Sequence, residues 1–170
     1  MVRKFELHKE GCLVFKYLLL FFGGLIADRL TKMVALVRFQ QDVEVCSFLK
    51  FSLAWNRGIS WNMLDFKNPL LAKVLTGVIF FVIFFFGIYT LLEHLKKRNI
   101  VFEVVVLAGA LSNFVDRVLY GAVIDFIEVY YKTVSFPTFN VADMLIVVGV
   151  CGILIKNWFQ QEAVRNEGTV

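Results

Sequence analysis

The feature that most constrains this chain is a long apolar segment near its middle. The stretch VIFFVIFFFGIYTLL, at positions 78–92, contains no charged residue. A helix needs roughly 20 mostly apolar residues to cross the hydrocarbon core of a bilayer, and this stretch with its flanks is long enough. Hydrophobic residues make up 59% of the 170 residues, and the mean hydropathy is +0.72. A soluble domain of this length is rarely so apolar, so the composition predicts a helical membrane protein.

Four windows are predicted to cross the membrane. They are Gly11–Arg29, Leu70–Leu92, Ile100–Tyr120 and Val141–Phe159. Because neither an internal repeat nor a linker divides them, we predict one integral membrane domain over residues 1–170. The predicted fold is an all-α membrane protein built as a four-transmembrane-helix bundle.

The loops between these windows carry patterns of their own. The segment 33–68 is predicted to lie outside the membrane, on the side opposite the termini. Its stretch VEVCSFLKFSLAW (43–55) partly alternates between apolar and polar residues, as does FIEVYY (126–131). Such alternation is typical of strands, so we expect a small β-sheet at the membrane surface. The stretch ISWNMLDF (59–66) is predicted to form a short interfacial helix.

An even number of spans places both termini on one side of the membrane. The 18 Lys and Arg residues divide equally between the two sides, so the positive-inside rule does not decide the orientation. The compact basic turn HLKKR (94–98) favours cytoplasmic termini.

Polar residues from separate parts of the chain are predicted to meet on the opposite side. Alternating span directions bring together the end of the first span, the end of the third and the start of the fourth. The residues at these ends are Asp28, Asn113, Asp116, Arg117, Asp125, Asn140 and Asp143. Each has a simple structural explanation: Asp143 could cap a helix, for example, and Asp28 could pair with Lys32. A charge well inside a bilayer costs about 2.5–3.5 kcal/mol, so the clustering of four aspartates favours a functional site.

The residue types in this cluster allow few catalytic mechanisms. Both histidines, His8 and His94, lie on the terminal side, and the three cysteines have no metal-binding spacing. We therefore expect no metal and no cofactor, and no Ser-His or Cys-His catalysis. Paired aspartates remain, since two close carboxyl groups can share one proton and activate water. From the residues alone, a hydrolase, a small proton-coupled membrane transporter or channel, and a non-catalytic scaffold all stay open.

Four motifs then occur in order: ADRLTK (27–32), WNRGIS (55–60), GALSNFVDRVLYGAVIDF (109–126) and PTFNVAD (137–143). Together they resemble the signature of the lipoprotein signal peptidase family, the type II signal peptidases of bacteria. The resemblance implies a membrane aspartic endopeptidase that removes signal peptides from diacylglyceryl-modified prolipoproteins. The cut falls on the N-terminal side of the lipidated cysteine.

The resemblance also implies roles for individual residues. Asp125 and Asp143 match the catalytic pair, and the supporting or substrate-binding positions are Asp28, Asn56, Gly58, Asn113, Asp116, Arg117 and Asn140. The implied partners are the prolipoprotein substrates, membrane lipid and the antibiotic globomycin; no nucleic acid is expected, and we expect a monomer. The implied location is the bacterial inner membrane, with cytoplasmic termini and an extracytoplasmic active site.

The chain departs from the family pattern at a few positions. Arg29 stands where the family usually has Gln, and Ala108 and Ser112 stand where Gly is commoner. The ending ISW (59–61) replaces a more usual small-small-Phe after Gly58. None of these departures touches the expected catalytic pair.

Overall fold

The computed structural model describes residues 2–58, 69–132 and 134–167. Within these ranges the chain forms four helices: α1 (Val2–Arg38), α2 (Pro69–Leu95), α3 (Val101–Tyr120) and α4 (Val141–Glu167). It also forms four strands: β1 (Val43–Cys46), β2 (Leu49–Asn56), β3 (Val123–Tyr131) and β4 (Val134–Ser135).

The helices carry their apolar side chains outward. Among the described residues, three helical segments are long and apolar enough to cross a membrane: Glu10–Arg38, Leu70–Leu95 and Val141–Ala163. Phe85, Leu154 and Trp158 are each more than 55% exposed, whereas several charged side chains are fully buried. This distribution is the reverse of a soluble domain, and it is the one expected of helices surrounded by lipid.

Helix α3 is the centre of the helical bundle, because it contacts α1, α2 and α4. Its contact with α4 is close at two glycines. A Cβ atom on Gly109 would overlap the carbonyl oxygen of Ala142, and one on Gly149 would lie 2.5 Å from a methyl group of Val106. Both glycines therefore allow the two backbones to approach, and Gly109 does so at the first turn of α4.

The sheet is antiparallel, with the strand order β1-β2-β3-β4. Strand β3 follows α3 directly, because Gly121 ends the helix in a left-handed conformation with φ of 69°. Phe39, at the end of α1, stacks on Phe51 of β2 and on Phe126 of β3, with ring centroids 4.7 and 6.1 Å apart. These contacts fasten the sheet to the same end of the bundle at which α3 ends and α4 begins.

The predicted helices and sheet are largely confirmed. All four predicted spans are helical, although only three meet the length and composition of a membrane span. Helix α1 continues to Arg38, so residues 33–38, the first part of the segment predicted to lie outside the membrane, are helical. Both predicted strand regions form strands. The predicted interfacial helix at 59–66 lies outside the described residues.

Candidate active site

The first turn of α4 holds Asn140 and Asp143 in a fixed relation. The side-chain Oδ1 of Asn140 accepts a hydrogen bond from the backbone N–H of Asp143 at 2.9 Å. In return, the Oδ2 of Asp143 accepts a bond from the backbone N–H of Asn140 at 3.2 Å. This reciprocal pair is a capping box, which satisfies two backbone donors of the helix end. Asp143 thus belongs to a helix cap, and its other oxygen accepts a hydrogen bond from Nδ2 of Asn113 at 2.8 Å.

Asn140 also joins the two aspartates that the sequence predicts as a pair. Its Nδ2 donates to Oδ1 of Asp125 at 2.6 Å, while its Oδ1 is occupied by Asp143. The second oxygen of Asp125 accepts a bond from Nδ2 of Asn56 at 2.9 Å. Asp125 lies within β3, and it is 1% exposed. Side chains from β2, β3 and the start of α4 therefore converge on one carboxylate.

The surroundings of Asp125 disfavour its charged form. Burial, and then the nearby negative charge of Asp143, raise the pKa of Asp125 from 3.8 to about 7, although the amides of Asn56 and Asn140 act in the opposite direction. A carboxyl group with such a pKa is present in both protonation states at neutral pH. That property is required of a group that exchanges protons with a substrate.

Behind the pair lies a buried network of ions that links α1 to α3. The ammonium group of Lys32 lies 2.7 Å from Asp28 and 2.8 Å from Asp116, and all three side chains are almost fully buried. Arg29 binds the other oxygen of Asp116 at 2.7 Å. Two positive and two negative charges are therefore paired, as buried ions require.

Asp28 extends this network to α4. Its Oδ1 accepts the backbone N–H of Ala142 at 2.8 Å, so it helps to cap the helix that carries Asp143. Its Oδ2 accepts the hydroxyl of Ser112 at 2.6 Å, and Arg29 donates to that hydroxyl at 3.0 Å. Arg29 and Ser112, two of the departures from the family pattern, thus contact each other.

Arg117 binds a backbone carbonyl group near the end of β2. Its guanidinium group donates to the carbonyl oxygen of Gly58 at 2.5 Å, and the backbone N–H of Gly58 donates to Oδ1 of Asn56 at 3.1 Å. Arg117 therefore ties the end of β2 to α3 and helps to fix the amide of Asn56 that binds Asp125.

Two adjoining cavities open beside the aspartates. The larger has a volume of about 770 Å³ and lies among α2, α3 and α4. Its wall is largely apolar, and its polar lining includes Asn113, Arg117 and Asp143. The smaller, about 370 Å³, lies over the sheet and is lined by Asp125 and Glu128. Both are lined by Asn56, Pro137 and Thr138. The two aspartates thus line different cavities that share a boundary.

All nine residues that the sequence predicts for the site lie in one connected region. The residue that the prediction left out is Lys32, which contacts Asp28, Asp116 and Asn113. Its position four residues after Asp28 was the available signal, since that spacing places both side chains on one helix face. Within the described part of the chain, no group of three or more His, Cys, Asp or Glu residues is arranged to hold a metal ion.

The fold and the site together define a helical membrane protein with paired aspartates at one end of its bundle. A family model described as signal peptidase (SPase) II matches residues 20–159. The chain belongs to the signal peptidase II family and is therefore a protease, which decides between the hypotheses of a hydrolase and of a transporter or channel.

Individual relatives agree with this assignment. The chain is 35% identical over 136 residues to the lipoprotein signal peptidase of Clostridium novyi (strain NT), with 78% of this chain and 90% of the relative covered. It is 33% identical over 144 residues to that of Pelagibacter ubique (strain HTCC1062), with 81% and 84% covered. A bacterial membrane enzyme solved by the in meso method at 2.3 Å resolution is 30% identical, with a TM-score of 0.67 and 87% of this chain and 90% of that chain covered.

Proposed function

We propose that this protease is an aspartic endopeptidase that removes signal peptides from diacylglyceryl-modified prolipoproteins. It cuts on the N-terminal side of the lipidated cysteine, and Asp125 and Asp143 activate the attacking water. The observation that carries the proposal is that both carboxylates accept hydrogen bonds from one residue, Asn140, beside two adjoining cavities: Asp125 from its side-chain amide and Asp143 from its backbone N–H. The names of the relatives support the class of substrate.

The pair works with one shared proton. The ionised carboxylate takes a proton from water, and the water oxygen bonds to the carbonyl carbon of the scissile peptide. The protonated carboxyl group gives its proton to the carbonyl oxygen, so a neutral tetrahedral intermediate forms. When the C–N bond breaks, the carboxyl group that took the proton from water gives it to the leaving nitrogen. A hydroxyl group of the intermediate returns a proton to the other carboxylate, so the pair again holds one proton. The products are a signal peptide with a new carboxyl terminus and a lipidated cysteine with a free amine.

The two cavities suit the two parts of such a substrate. The larger is lined mostly by apolar side chains of α2, α3 and α4, such as Ile79 and Val147, and we place the diacylglyceryl group there. The smaller lies over the sheet, and we place the peptide chain on it. The scissile bond then crosses the boundary between the cavities, where it meets Asp125 from one side and Asp143 from the other.

The other predicted residues support this arrangement. Asn56, Asn113 and Asn140 hold the two carboxylates by their amide groups. Asp28 and Asp116 hold the ends of α4 and β3, because they accept the backbone N–H groups of Ala142 and Ile124 respectively. Arg117 and Gly58 position the end of β2.

We further propose that α3 is a fourth span. Its 20 residues measure about 30 Å at 1.5 Å per residue, which matches the hydrocarbon core. Its buried polar side chains, Glu103, Ser112 and Asp116, face other helices, where charged groups in a membrane are tolerated. The basic turn at 96–98 then lies in the cytoplasm with both termini, and the aspartates lie at the extracytoplasmic face of the inner membrane.

The test uses purified protein with a diacylglyceryl-modified prolipoprotein, and mass spectrometry of the products gives the position of the cut. Asp125→Asn and Asp143→Asn should each lower cleavage by about 100-fold or more, because an amide cannot act as a base or hold the shared proton. Thermal unfolding in detergent establishes that both variants fold.

Asp42→Asn is the matched control. Asp42 is exposed and pairs with Lys50 at 3.2 Å, outside both cavities, so this variant should cleave as the unaltered protein does. Near-normal cleavage by either the Asp125→Asn or the Asp143→Asn variant would contradict the mechanism, and a cut elsewhere in the substrate would contradict the proposed specificity.

A further inference from the structure

Lys32 is a buried cation next to the aspartate pair but outside both cavities. Its side chain is 1% exposed, and its three N–H donors have three acceptors: Asp28 at 2.7 Å, Asp116 at 2.8 Å and Oδ1 of Asn113 at 2.8 Å. An ammonium group can only donate hydrogen bonds. The atom of Asn113 that faces it must therefore be the oxygen.

This contact determines the direction of the Asn113 amide. Its Oδ1 also accepts Nδ2 of Asn140 at 3.1 Å, and its Nδ2 donates to Oδ1 of Asp143 at 2.8 Å. Turning the amide over would place its NH2 group against two donors, the ammonium group of Lys32 and Nδ2 of Asn140. The other oxygen of Asp143 faces the backbone N–H of Asn140, which cannot turn. Both oxygens of Asp143 thus face fixed donors, and a proton on Asp143 would oppose an N–H group.

Asp125 differs at one oxygen. Its Oδ2 faces the amide of Asn56, whose own oxygen accepts, from the described residues, one hydrogen bond: that of the Gly58 N–H, at 3.1 Å. Asn56 is partly exposed, and no ion pair or hydrogen bond joins it to a cation among the described residues. If its amide turns over, at the cost of that one bond, its oxygen can accept an O–H group on Asp125. Asp125 therefore has a place for a proton that Asp143 lacks.

The charges around the pair favour the same asymmetry. Lys32 of α1 and Arg117 of α3 are the cations that face Asp143, while Asp28, Asp116 and Asp125 are the neighbouring anions. Asp28 and Asp116 are neutralised by Lys32 and Arg29. The amide of Asn113 accepts a hydrogen bond from Lys32 and donates one to Asp143, so one side chain separates the positive charge of Lys32 from the Asp143 carboxylate.

We propose, on the basis that the chain is the aspartic peptidase described above, that Lys32 is a positioning residue: by fixing the amide of Asn113, it keeps Asp143 ionised as the base and leaves the shared proton on Asp125. Lys32 itself touches neither the substrate nor the reacting atoms, because it lines neither cavity. Its substitution should consequently change kcat and the pH–rate profile, and leave KM nearly unchanged.

The kinetic test uses a background that keeps the buried charges balanced. Asp116→Asn is made first, and Lys32→Met or Lys32→Gln is added to it, so that one charge of each sign is removed. Relative to Asp116→Asn alone, the methionine variant should lose about 10- to 100-fold in kcat, the range for one hydrogen bond to a charged group. The acid limb of its pH–rate profile should move to higher pH. When Asn113 is free to turn, both aspartates stay protonated up to a higher pH, and the pair then lacks an ionised base.

Lys32→Gln provides the rescue. A glutamine amide can still donate to Oδ1 of Asn113, so kcat and the acid limb should return part of the way toward the Asp116→Asn values. Lys96→Met is the control for loss of a lysine, because Lys96 is exposed and pairs with Glu93 on the terminal side. It should leave kcat and the profile unchanged.

A second measurement needs no change at Lys32. Infrared spectra near neutral pH should contain a protonated carboxyl band that disappears in Asp125→Asn, since the proton resides on Asp125. Persistence of the band in that variant would overturn the proposal, and this result decides the matter if the methionine variant does not fold.

The outcomes separate the two proposals. If the unaltered protein does not cleave the lipidated substrate, the proposed function fails. If it does cleave, and the methionine variant folds with an unchanged kcat and acid limb, only the role of Lys32 fails. Equal losses in the methionine and glutamine variants, with a raised KM, would indicate a merely structural lysine and would also overturn it.

Discussion

Replacing Asp125 by asparagine should change how the stability of the folded protein depends on pH. In the folded state the pKa of Asp125 is raised from 3.8 to about 7. Well below its unfolded pKa of 3.8, the carboxyl group is protonated in the folded and unfolded chains alike, and its contribution to stability is complete. As the pH rises toward 7, the unfolded chain releases the proton while the folded chain keeps it, so the free energy of unfolding falls.

The size of this loss follows from the difference in pKa. Each pKa unit is worth about 1.4 kcal/mol, so the difference between 3.8 and about 7 corresponds to about 4 kcal/mol once the pH exceeds 7. The asparagine of the Asp125→Asn variant cannot ionise and escapes this loss. It carries instead a pH-independent cost of about 1–3 kcal/mol, because its NH2 group opposes the amide of Asn56 or Asn140.

The variant should therefore be less stable than the unaltered protein near pH 4.5 and more stable near pH 8, two values that lie on either side of most of the titration. Thermal unfolding of both proteins in the same detergent, across this range, measures the difference and cancels the titration of all other groups. Because about 1 kcal/mol of the loss has already occurred at pH 4.5, the change between pH 4.5 and pH 8 is about 3 kcal/mol, which corresponds to about 6–12 °C in Tm for a chain of this length.

Asp143→Asn should show a smaller change with pH than Asp125→Asn, because the charge of Asp143 is a lesser cause of the raised pKa of Asp125 than burial is. A difference in Tm between Asp125→Asn and the unaltered protein that stays constant across the whole pH range would refute the reasoning. It would mean that burial does not raise the pKa of Asp125.

Three further predictions concern the reaction and its scaffold. Cleavage should be unaffected by EDTA, because the oxygens of Asp125 and Asp143 already accept N–H donors; loss of activity that zinc or manganese restores would contradict this. An unlipidated prolipoprotein should be cut far more slowly than the lipidated form, since the larger cavity is lined mainly by apolar side chains; equal turnover of the two would count against the proposed substrate. Gly109→Ala should destabilise the protein by about 1–3 kcal/mol and lower kcat, because the new Cβ would overlap the Ala142 carbonyl oxygen and displace the first turn of α4; an unchanged Tm and kcat would show that α4 can move without cost.

Local patterns in the sequence were sufficient to predict the helices, the strands and the end of α3. Apolar length predicts a spanning helix, alternation predicts β2 and β3, and Gly121 permits the left-handed residue at which α3 stops. The spacing of Asn140 and Asp143 likewise belongs to a capping box. These features depend on residues within a few positions of one another, so the order of amino acids determines them directly.

The partners of the buried charges could only be decided by the tertiary structure. Asp116 is followed directly by Arg117, yet it pairs with Arg29, 87 residues away, and with Lys32. Arg117 instead binds the backbone of Gly58. Asp125 binds Asn56, a residue 69 positions away that the pairing of β3 with β2 brings beside it. Such contacts join elements that are distant in the chain, and they depend on how closely α1, α3 and α4 pack, which no local pattern encodes.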